Sequence, residues 1–203
     1  MKVLHVDSSI LGAGSVSRQV TAAVVGQLKA AHPGAQVVYR DVVAQPLAHL
    51  DGELMQVVRP APGAAVPAHL QQEAALTEAL MKEFLEADAI VIGAPMYNFA
   101  VPTQLKAWID RLAQAGRTFK YTATGPVGLA GGKKVIVVSS RGGMYAGTPY
   151  EAAMDHQEAY LKAVMGFFGI TDVQVIRAEG VAMGDDARAA ALKSATALAA
   201  KAA

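Results

Sequence analysis

The sequence contains no cysteine among its 203 residues. A chain without thiols forms no disulfide bond, offers no thiolate nucleophile and cannot build a zinc site from cysteine ligands. Long apolar runs are also missing, since every hydrophobic stretch falls far short of the about 20 residues that a membrane-spanning helix needs. The N-terminal segment "MKVLHVDSS" has the pattern of a strand rather than of a signal peptide. We therefore expect a cytoplasmic protein without a membrane span.

Charge of one sign is not concentrated anywhere in the chain. The 18 lysines and arginines nearly balance the 17 acidic residues, and the formal net charge is +1. Nucleic-acid binding depends on clustered Lys and Arg side chains that displace counterions from phosphates. Because the basic residues here are spread thinly, we expect no nucleic-acid partner.

The pattern of histidines and carboxylates does not indicate a metal site. The five histidines include no pair at i and i+4 and no HExxH motif. His5 falls in the middle of the first predicted strand, where a hydrogen-bonded core residue is the favoured interpretation. Asp185 and Asp186 are interpreted as the start of a helix, with one of them as its N-cap. We therefore predict no metal.

Apolar segments of strand length alternate with segments of helical periodicity. The strands are predicted at 2–6, 35–41, 89–95, 133–140 and 172–180, and the helices at 16–34, 70–88, 102–116, 149–169 and 185–203. Strict alternation with continuous apolar strands is typical of a parallel sheet covered on both faces. The pattern predicts one α/β domain over residues 1–203, a flavodoxin-like doubly wound five-stranded parallel sheet with helices on both faces.

Two segments interrupt this alternation. Residues 42–69 are Pro-rich and longer than an ordinary connection, and residues 118–132 have the composition of a protruding hairpin. Their apolar side chains have no obvious sheet to cover. We therefore expect such residues to be buried against a second chain or over a ligand; examples are Leu54, Met55, Phe119 and Tyr121.

The loop after the first strand, "DSSILGAGSVSRQ", is rich in serine and glycine. Its hydroxyls and the N-terminal amides of the next helix suit a phosphate group. The simpler interpretation, that Ser15 or Ser17 only caps the helix, carries about equal weight from this loop alone. A Walker loop is excluded because no lysine is present, and Gly12 and Gly14 come too late for a dinucleotide fingerprint.

The loops after the third and fourth strands of the alternation are equally unusual. Aromatic residues make up only 6% of the chain, yet two of them lie in the "MYNF" stretch at 96–99. The "SSRGG" stretch at 139–143 is polar, and its glycines allow a close backbone approach. Because these loops meet the first loop at one rim of the sheet, they predict a pocket for a flat heterocycle bearing one phosphate, namely flavin mononucleotide (FMN).

The chain resembles the FMN-dependent NAD(P)H azoreductases, also called NADH:quinone oxidoreductases of the flavodoxin-like fold. The resemblance spans nearly the whole chain and includes "SSILGAGSVS", "APMYNF", "PTQLKAWID", "GPVGL", "SSRGG" and "GFFGITDV". It implies one FMN per subunit, NADH or NADPH as hydride donor, and a homodimer with shared active sites. The FMN contacts that it implies are Ser9, Ser15, Val16, Ser17, Met96, Tyr97, Asn98, Phe99, Ser140, Arg141, Gly142 and Gly143.

The resemblance implies two-electron reduction of quinones to hydroquinones and reductive cleavage of aromatic azo compounds to amines, by a ping-pong mechanism. The candidate residues for the substrate pocket are Tyr97, Asn98, Tyr121, Phe167 and Arg59. Two other functions stay open, a flavodoxin-type FMN electron carrier and an interaction module without flavin. The near-neutral charge and the two extra segments favour the enzyme, since such carriers tend to be strongly acidic and need no pocket walls.

Overall fold

The computed structural model describes residues 1–61 and 63–202; Pro62 in the first extra segment and Ala203 at the predicted end of the last helix lie outside it. The strands are β1 (Lys2–Asp7), β2 (Gln36–Asp41), β3 (Ala89–Pro95), β4 (Phe119–Thr122), β5 (Gly125–Gly128), β6 (Lys134–Ser140) and β7 (Asp172–Ala178). The helices are α1 (Val16–Ala31), α2 (Met55–Val58), α3 (Gln71–Glu86), α4 (Thr103–Leu112), α5 (Glu151–Met154), α6 (His156–Phe167) and α7 (Asp185–Ala199).

Five strands form one parallel sheet in the order β2-β1-β3-β6-β7. This order confirms the predicted flavodoxin-like doubly wound fold. The direction of winding reverses between β1 and β3, and ligands of open α/β sheets bind at the carboxyl ends of strands beside such a switch point. No helix in the described ranges is long and apolar enough to cross a membrane.

The core lies on both faces of the sheet because strand side chains alternate between them. On one face, strand residues such as Leu4, Ile90 and Val137 pack against α3, α4 and α6, with Phe84 and Trp108 fully buried. On the other face, the alternate strand residues pack against α1 and α7; examples are Val3, Val91 and Ile136. Continuous apolar strands are the expected consequence of this two-sided burial.

The segment 118–132 forms the predicted hairpin from the antiparallel strands β4 and β5. It docks on its own subunit through a close backbone approach: a Cβ on Gly128 would lie 2.1 Å from the main-chain nitrogen of Gly169. Phe119 and Leu54 are buried within their own chain, so the expectation that they need a second chain or a ligand is wrong. Tyr121, in contrast, is 74% exposed.

Details of three predicted helices also differ from the structure. The helix expected at 149–169 is divided into α5 and α6, because the side chain of Asp155 accepts a hydrogen bond from the Glu158 amide and starts a new helix. Helix α4 ends at Leu112 rather than at residue 116. The N-cap of α7 is Gly184, with φ of 104°, so neither Asp185 nor Asp186 is its cap and both lie in the first turn.

Candidate functional site

The three unusual loops meet at the switch point and enclose a cavity of about 210 Å³. It lies at the carboxyl ends of β1, β3 and β6, as predicted for a ligand site in this fold. Members of all three predicted loops contribute to its walls. The lining residues are Ser9, Leu11, Ser15, Val16, Pro95, Met96, Tyr97, Ser140, Gly142, Val181, Ala182 and Arg188.

The first loop brings the N-terminus of α1 to the cavity. Ser15 is the N-cap, since its hydroxyl accepts a hydrogen bond of 3.2 Å from the Arg18 amide. The hydroxyl of Ser17 is fully buried and lies 3.0 Å from that of Ser15. Within the two described ranges, the amides of Val16 and Ser17 donate to no acceptor. The capping interpretation therefore holds for Ser15, and the loop still offers free helix N-terminal amides to an anion.

Tyr97 joins the first loop to the third-strand loop. Its hydroxyl oxygen accepts a hydrogen bond of 3.2 Å from the Ile10 amide and lies 3.3 Å from the Ser9 hydroxyl. The Met96 amide in turn donates to the carbonyl of Ser140, over 2.8 Å, which links this loop to the end of β6. The three sides of the cavity are thus tied together by polar contacts.

The "MYNF" stretch forms a strained turn. Asn98 and Phe99 both have positive φ, 48° and 72°, while Tyr97 and Ala100 exchange two backbone hydrogen bonds. This is the geometry of a type I′ turn, which normally takes glycine at its second central position. Holding an aromatic residue there costs of order 1–3 kcal/mol. The His156 amide stabilises the turn by donating to the Phe99 carbonyl, and Asn98 and Phe99 stay exposed at the rim.

Arg141 is fully buried, and its guanidinium points away from the cavity. It pairs with Asp155 at 2.6 Å, with Glu158 and with Glu179, and its Nε donates to Ser139. Its main-chain N–H and C=O are also engaged, with the backbone of β7 and of the segment that follows it. The structure therefore gives Arg141 a role in fixing its loop, and leaves the neighbouring Gly142 to line the cavity.

The remaining predicted residues lie outside the cavity lining. Gly143 packs beside Tyr145, with its Cβ position 3.4 Å from that ring. Tyr121 lies on the hairpin, and Phe167 packs on Phe119 with ring centroids 4.4 Å apart. Arg59 lines a separate cavity within the segment 52–65. The roles of these residues as pocket walls stay predictions.

Sequence reasoning missed the contribution of α7 and of the loop before it. Val181, Ala182 and Arg188 come from this region, and Arg188 is the only charged side chain among the described lining residues. Its guanidinium donates to the carbonyl of Gly14 in the first loop. No local motif marks it, because the contact joins residues separated by most of the chain.

A network of charges holds the first loop in place. Arg18 forms two hydrogen bonds with Asp41, at 2.6 and 3.0 Å, and also donates to the Ser9 carbonyl. The hydrogen bond from Arg18 lowers the pKa of Asp41 to about 2. Burial, followed by the negative charge of Asp7, raises the pKa of the nearby Tyr39 to about 12. Both groups therefore keep one charge state through the ordinary pH range.

Comparisons with known proteins found several that are similar to this chain. A family model described as "Flavodoxin-like fold" matches residues 1–202. An FMN-dependent NADH:quinone oxidoreductase of Azospirillum brasilense is 63% identical over 96% of this chain and 94% of its own. A protein of the same name from Ralstonia nicotianae is 61% identical over 96% of this chain and 93% of its own.

Two solved structures of azoreductases are also similar to this chain. The crystal structure of an azoreductase from Bacillus anthracis str. Sterne has a TM-score of 0.87 and 32% identity, covering 99% of both chains. An FMN-dependent NADH-azoreductase from Bacillus anthracis str. Ames Ancestor, solved in complex with FMN, also has a TM-score of 0.87, with 26% identity and 98% coverage of both chains.

The Arg18–Asp41 pair predicts a specific dependence of stability on pH. A carboxyl group whose pKa is lowered by folding, here from 3.8 to about 2, stabilises the folded state above its unfolded pKa. That contribution should be lost as the pH falls from about 4 to about 2. We expect Asp41→Asn to lower the free energy of unfolding at pH 7 and to flatten its decline over this acid range, as measured by urea unfolding at a series of pH values.

Asp172→Asn is the matched control, because this exposed carboxylate forms no ion pair among the residues described. It should reproduce the acid profile of the parent. A profile for Asp41→Asn that runs parallel to that of the parent would contradict the role assigned to the pair.

Proposed function

The chain belongs to the family of FMN-dependent NADH:quinone oxidoreductases, and we propose that it uses NADH to reduce quinones and aromatic azo compounds. In this reaction NADH, a proton and a quinone give NAD⁺ and a hydroquinone; an azo compound consumes two NADH and two protons and gives two amines. The observation that carries the proposal is the cavity at the switch point, which joins free helix N-terminal amides to a loop of apolar and aromatic residues.

The residues of the cavity fit FMN by their chemistry. The free amides of Val16 and Ser17 suit a phosphate, since a helix N-terminus carries partial positive charge. The other side of the cavity is apolar, with Pro95 and Met96 beside Tyr97, and suits an aromatic ring system. When bound, FMN would accept a hydride from NADH and pass two electrons to the acceptor.

The side chains around the cavity serve mainly to bind and orient a ligand. No carboxylate or histidine is among the described lining residues, so a general base is missing from the cavity wall. The hydroxyl oxygen of Tyr97 accepts the Ile10 N–H, which leaves its own hydrogen available for Ser9 or for a ligand. Protons for the acceptor would come from water, from Tyr97 or from Tyr121. This composition is expected when a cofactor carries the redox chemistry.

We further propose a cytoplasmic homodimer in which each active site is completed by the partner subunit. The hairpin exposes three large apolar side chains to solvent, those of Tyr121, Val127 and Leu129. A second exposed group lies near the cavity and includes Leu11 and Phe99. Large apolar side chains that stay exposed on a protruding hairpin and around a cavity favour an interaction site. In an isologous two-fold dimer, the hairpin of one subunit would lie beside the cavity of the other.

Steady-state kinetics test the proposed reaction. Because NADH and the acceptor would use one cavity in turn, double-reciprocal plots of NADH against a quinone should give parallel lines. Stopped-flow reduction of the bound flavin by NADH alone should proceed without the quinone. Intersecting lines, or flavin reduction that requires the quinone, would contradict the ping-pong mechanism; a yellow protein whose flavin NADH does not reduce would instead indicate an electron carrier.

Substitutions at Ser15 test the phosphate end of the cavity. Asp and Asn are both good N-caps, so Ser15→Asp and Ser15→Asn should keep the stability of α1. Asp adds a negative charge beside the amides of Val16 and Ser17, whereas Asn adds none. We expect the affinity for FMN to fall at least about tenfold further in Ser15→Asp than in Ser15→Asn, as measured by flavin fluorescence. Equal affinities with equal melting temperatures would show that the phosphate does not bind here.

Light scattering at micromolar concentration tests the dimer. The parent should have twice the mass of one chain, and Tyr121→Ser should weaken association because it removes the most exposed aromatic side chain of the hairpin. Tyr150→Ser is the control, since Tyr150 is also exposed but lies outside the hairpin. A monomeric parent with full quinone reductase activity would contradict the shared active site while leaving the FMN assignment intact.

A further inference from the structure

We propose that Arg188 binds the phosphate of FMN and gives the protein its preference for the phosphorylated flavin over riboflavin. The inference rests on the proposed function for the FMN site and adds a residue to it from the distant helix α7. It depends on three features of the structure: the place of Arg188 in the cavity wall, its contact with the first loop, and the lack of another available cation beside that loop among the described residues.

Arg188 reaches the phosphate end of the cavity from the first turn and a half of α7. Its main-chain amide donates to the Gly184 carbonyl, which anchors the residue in the helix. Its guanidinium donates to the carbonyl of Gly14, immediately before the Ser15 N-cap of α1. A positive charge therefore lies next to the free amides of α1, where an anion would be stabilised by both.

The other arginines near the cavity are already neutralised. Arg18 pairs with Asp41 and donates to the Ser9 carbonyl. Arg141 is surrounded by three carboxylates. Arg188 forms no ion pair within residues 1–61 and 63–202, and one contact to Gly14 uses only part of its five N–H donors. The rest of this planar group can donate to phosphate oxygens, a pairing that guanidinium geometry favours.

The acidic residues at the start of α7 would oppose the binding of a phosphate. Asp185 and Asp186 are exposed in the first turn of the helix, and their carboxylates would repel a phosphate dianion. Water and salt screen them in part, because both are exposed at the surface. Arg188, which is partly buried at the cavity wall, would offset this repulsion at the phosphate itself. Riboflavin lacks the phosphate and should gain nothing from Arg188.

The test measures the affinity of the parent and of two variants for FMN and for riboflavin. FMN and riboflavin are titrated into the flavin-free parent, Arg188→Gln and the control Lys193→Gln, with flavin fluorescence as the readout. Lys193 is exposed on the same helix and does not line the cavity, so its substitution makes the same change in net charge. We expect Arg188→Gln to lower the affinity for FMN by at least about tenfold and to leave the affinity for riboflavin unchanged. Lys193→Gln should change neither.

Salt dependence provides a second measurement of the same interaction. The affinity of the parent for FMN should fall more steeply with NaCl concentration than that of Arg188→Gln, since the variant has lost the charge that salt screens. Arg188→Lys should recover part of the FMN affinity, because it restores the charge without the planar group. This variant also keeps the test decisive if circular dichroism shows that Arg188→Gln does not fold.

Each contrary outcome has a distinct meaning. An equal loss of affinity for FMN and riboflavin in Arg188→Gln would show that the residue only tethers the Gly14 loop, and would overturn the proposal. An unchanged affinity for FMN would overturn it as well. If the parent binds FMN but Arg188→Gln does not show the expected loss, this inference is wrong and the proposed function is unaffected. If the parent binds no FMN, the proposed function and this inference are both contradicted.

Discussion

A buried carboxylate between β1 and β3 is the constraint on which the cavity depends. Asp7 ends β1 at the switch point, and its two oxygens accept hydrogen bonds from Thr21 at 2.9 Å and from Tyr39 at 3.1 Å. The neighbouring residue on β3 must be Gly93, because a Cβ there would lie 2.5 Å from the Asp7 carboxylate. An unpaired buried charge costs several kcal/mol, so these partners fix the relative position of α1, β1 and β2. The first loop then begins from a rigid base, with Ser8 donating to the Gly93 carbonyl.

A buried charge with its hydrogen-bond partners also holds the loop on the other side of the cavity in place. Arg141 is buried among carboxylates, and one of these, Glu179, also accepts hydrogen bonds from the amides of Tyr145 and Ala146. Ser139 and Gln157 extend the network to the carbonyl of Ala94 on β3. The charged groups of this protein therefore serve mainly to hold loops. One of these carboxylates, Asp155, caps α6 directly before His156, whose amide donates to the Phe99 carbonyl in the strained turn.

Rigid loops and a nearly uncharged cavity suit a reaction whose chemistry resides in a cofactor. The protein must bind a flavin, present it to two substrates in turn and exclude competing reactions. None of these tasks needs a catalytic acid or base within the cavity wall. The proposed homodimer would complete the site from the exposed hairpin of a second chain, and the proposed role of Arg188 beside the helix amides would suit a ligand with one anionic end.

The sequence by itself determined the fold and the place of the candidate cavity. Strand and helix periodicity are local properties, so the five strands, the hairpin at 118–132 and the three loops at one rim could all be predicted from short stretches of residues. The tertiary structure decided which side chains face the cavity. In the folded chain the Arg141 guanidinium points away from the cavity, because a buried charge requires its counter-charges, and Leu54 and Phe119 are buried in their own chain. It also brought Arg188 to Gly14, 174 residues away in sequence. Such contacts depend on how α7 packs beside α1, and no local pattern of residues encodes that packing.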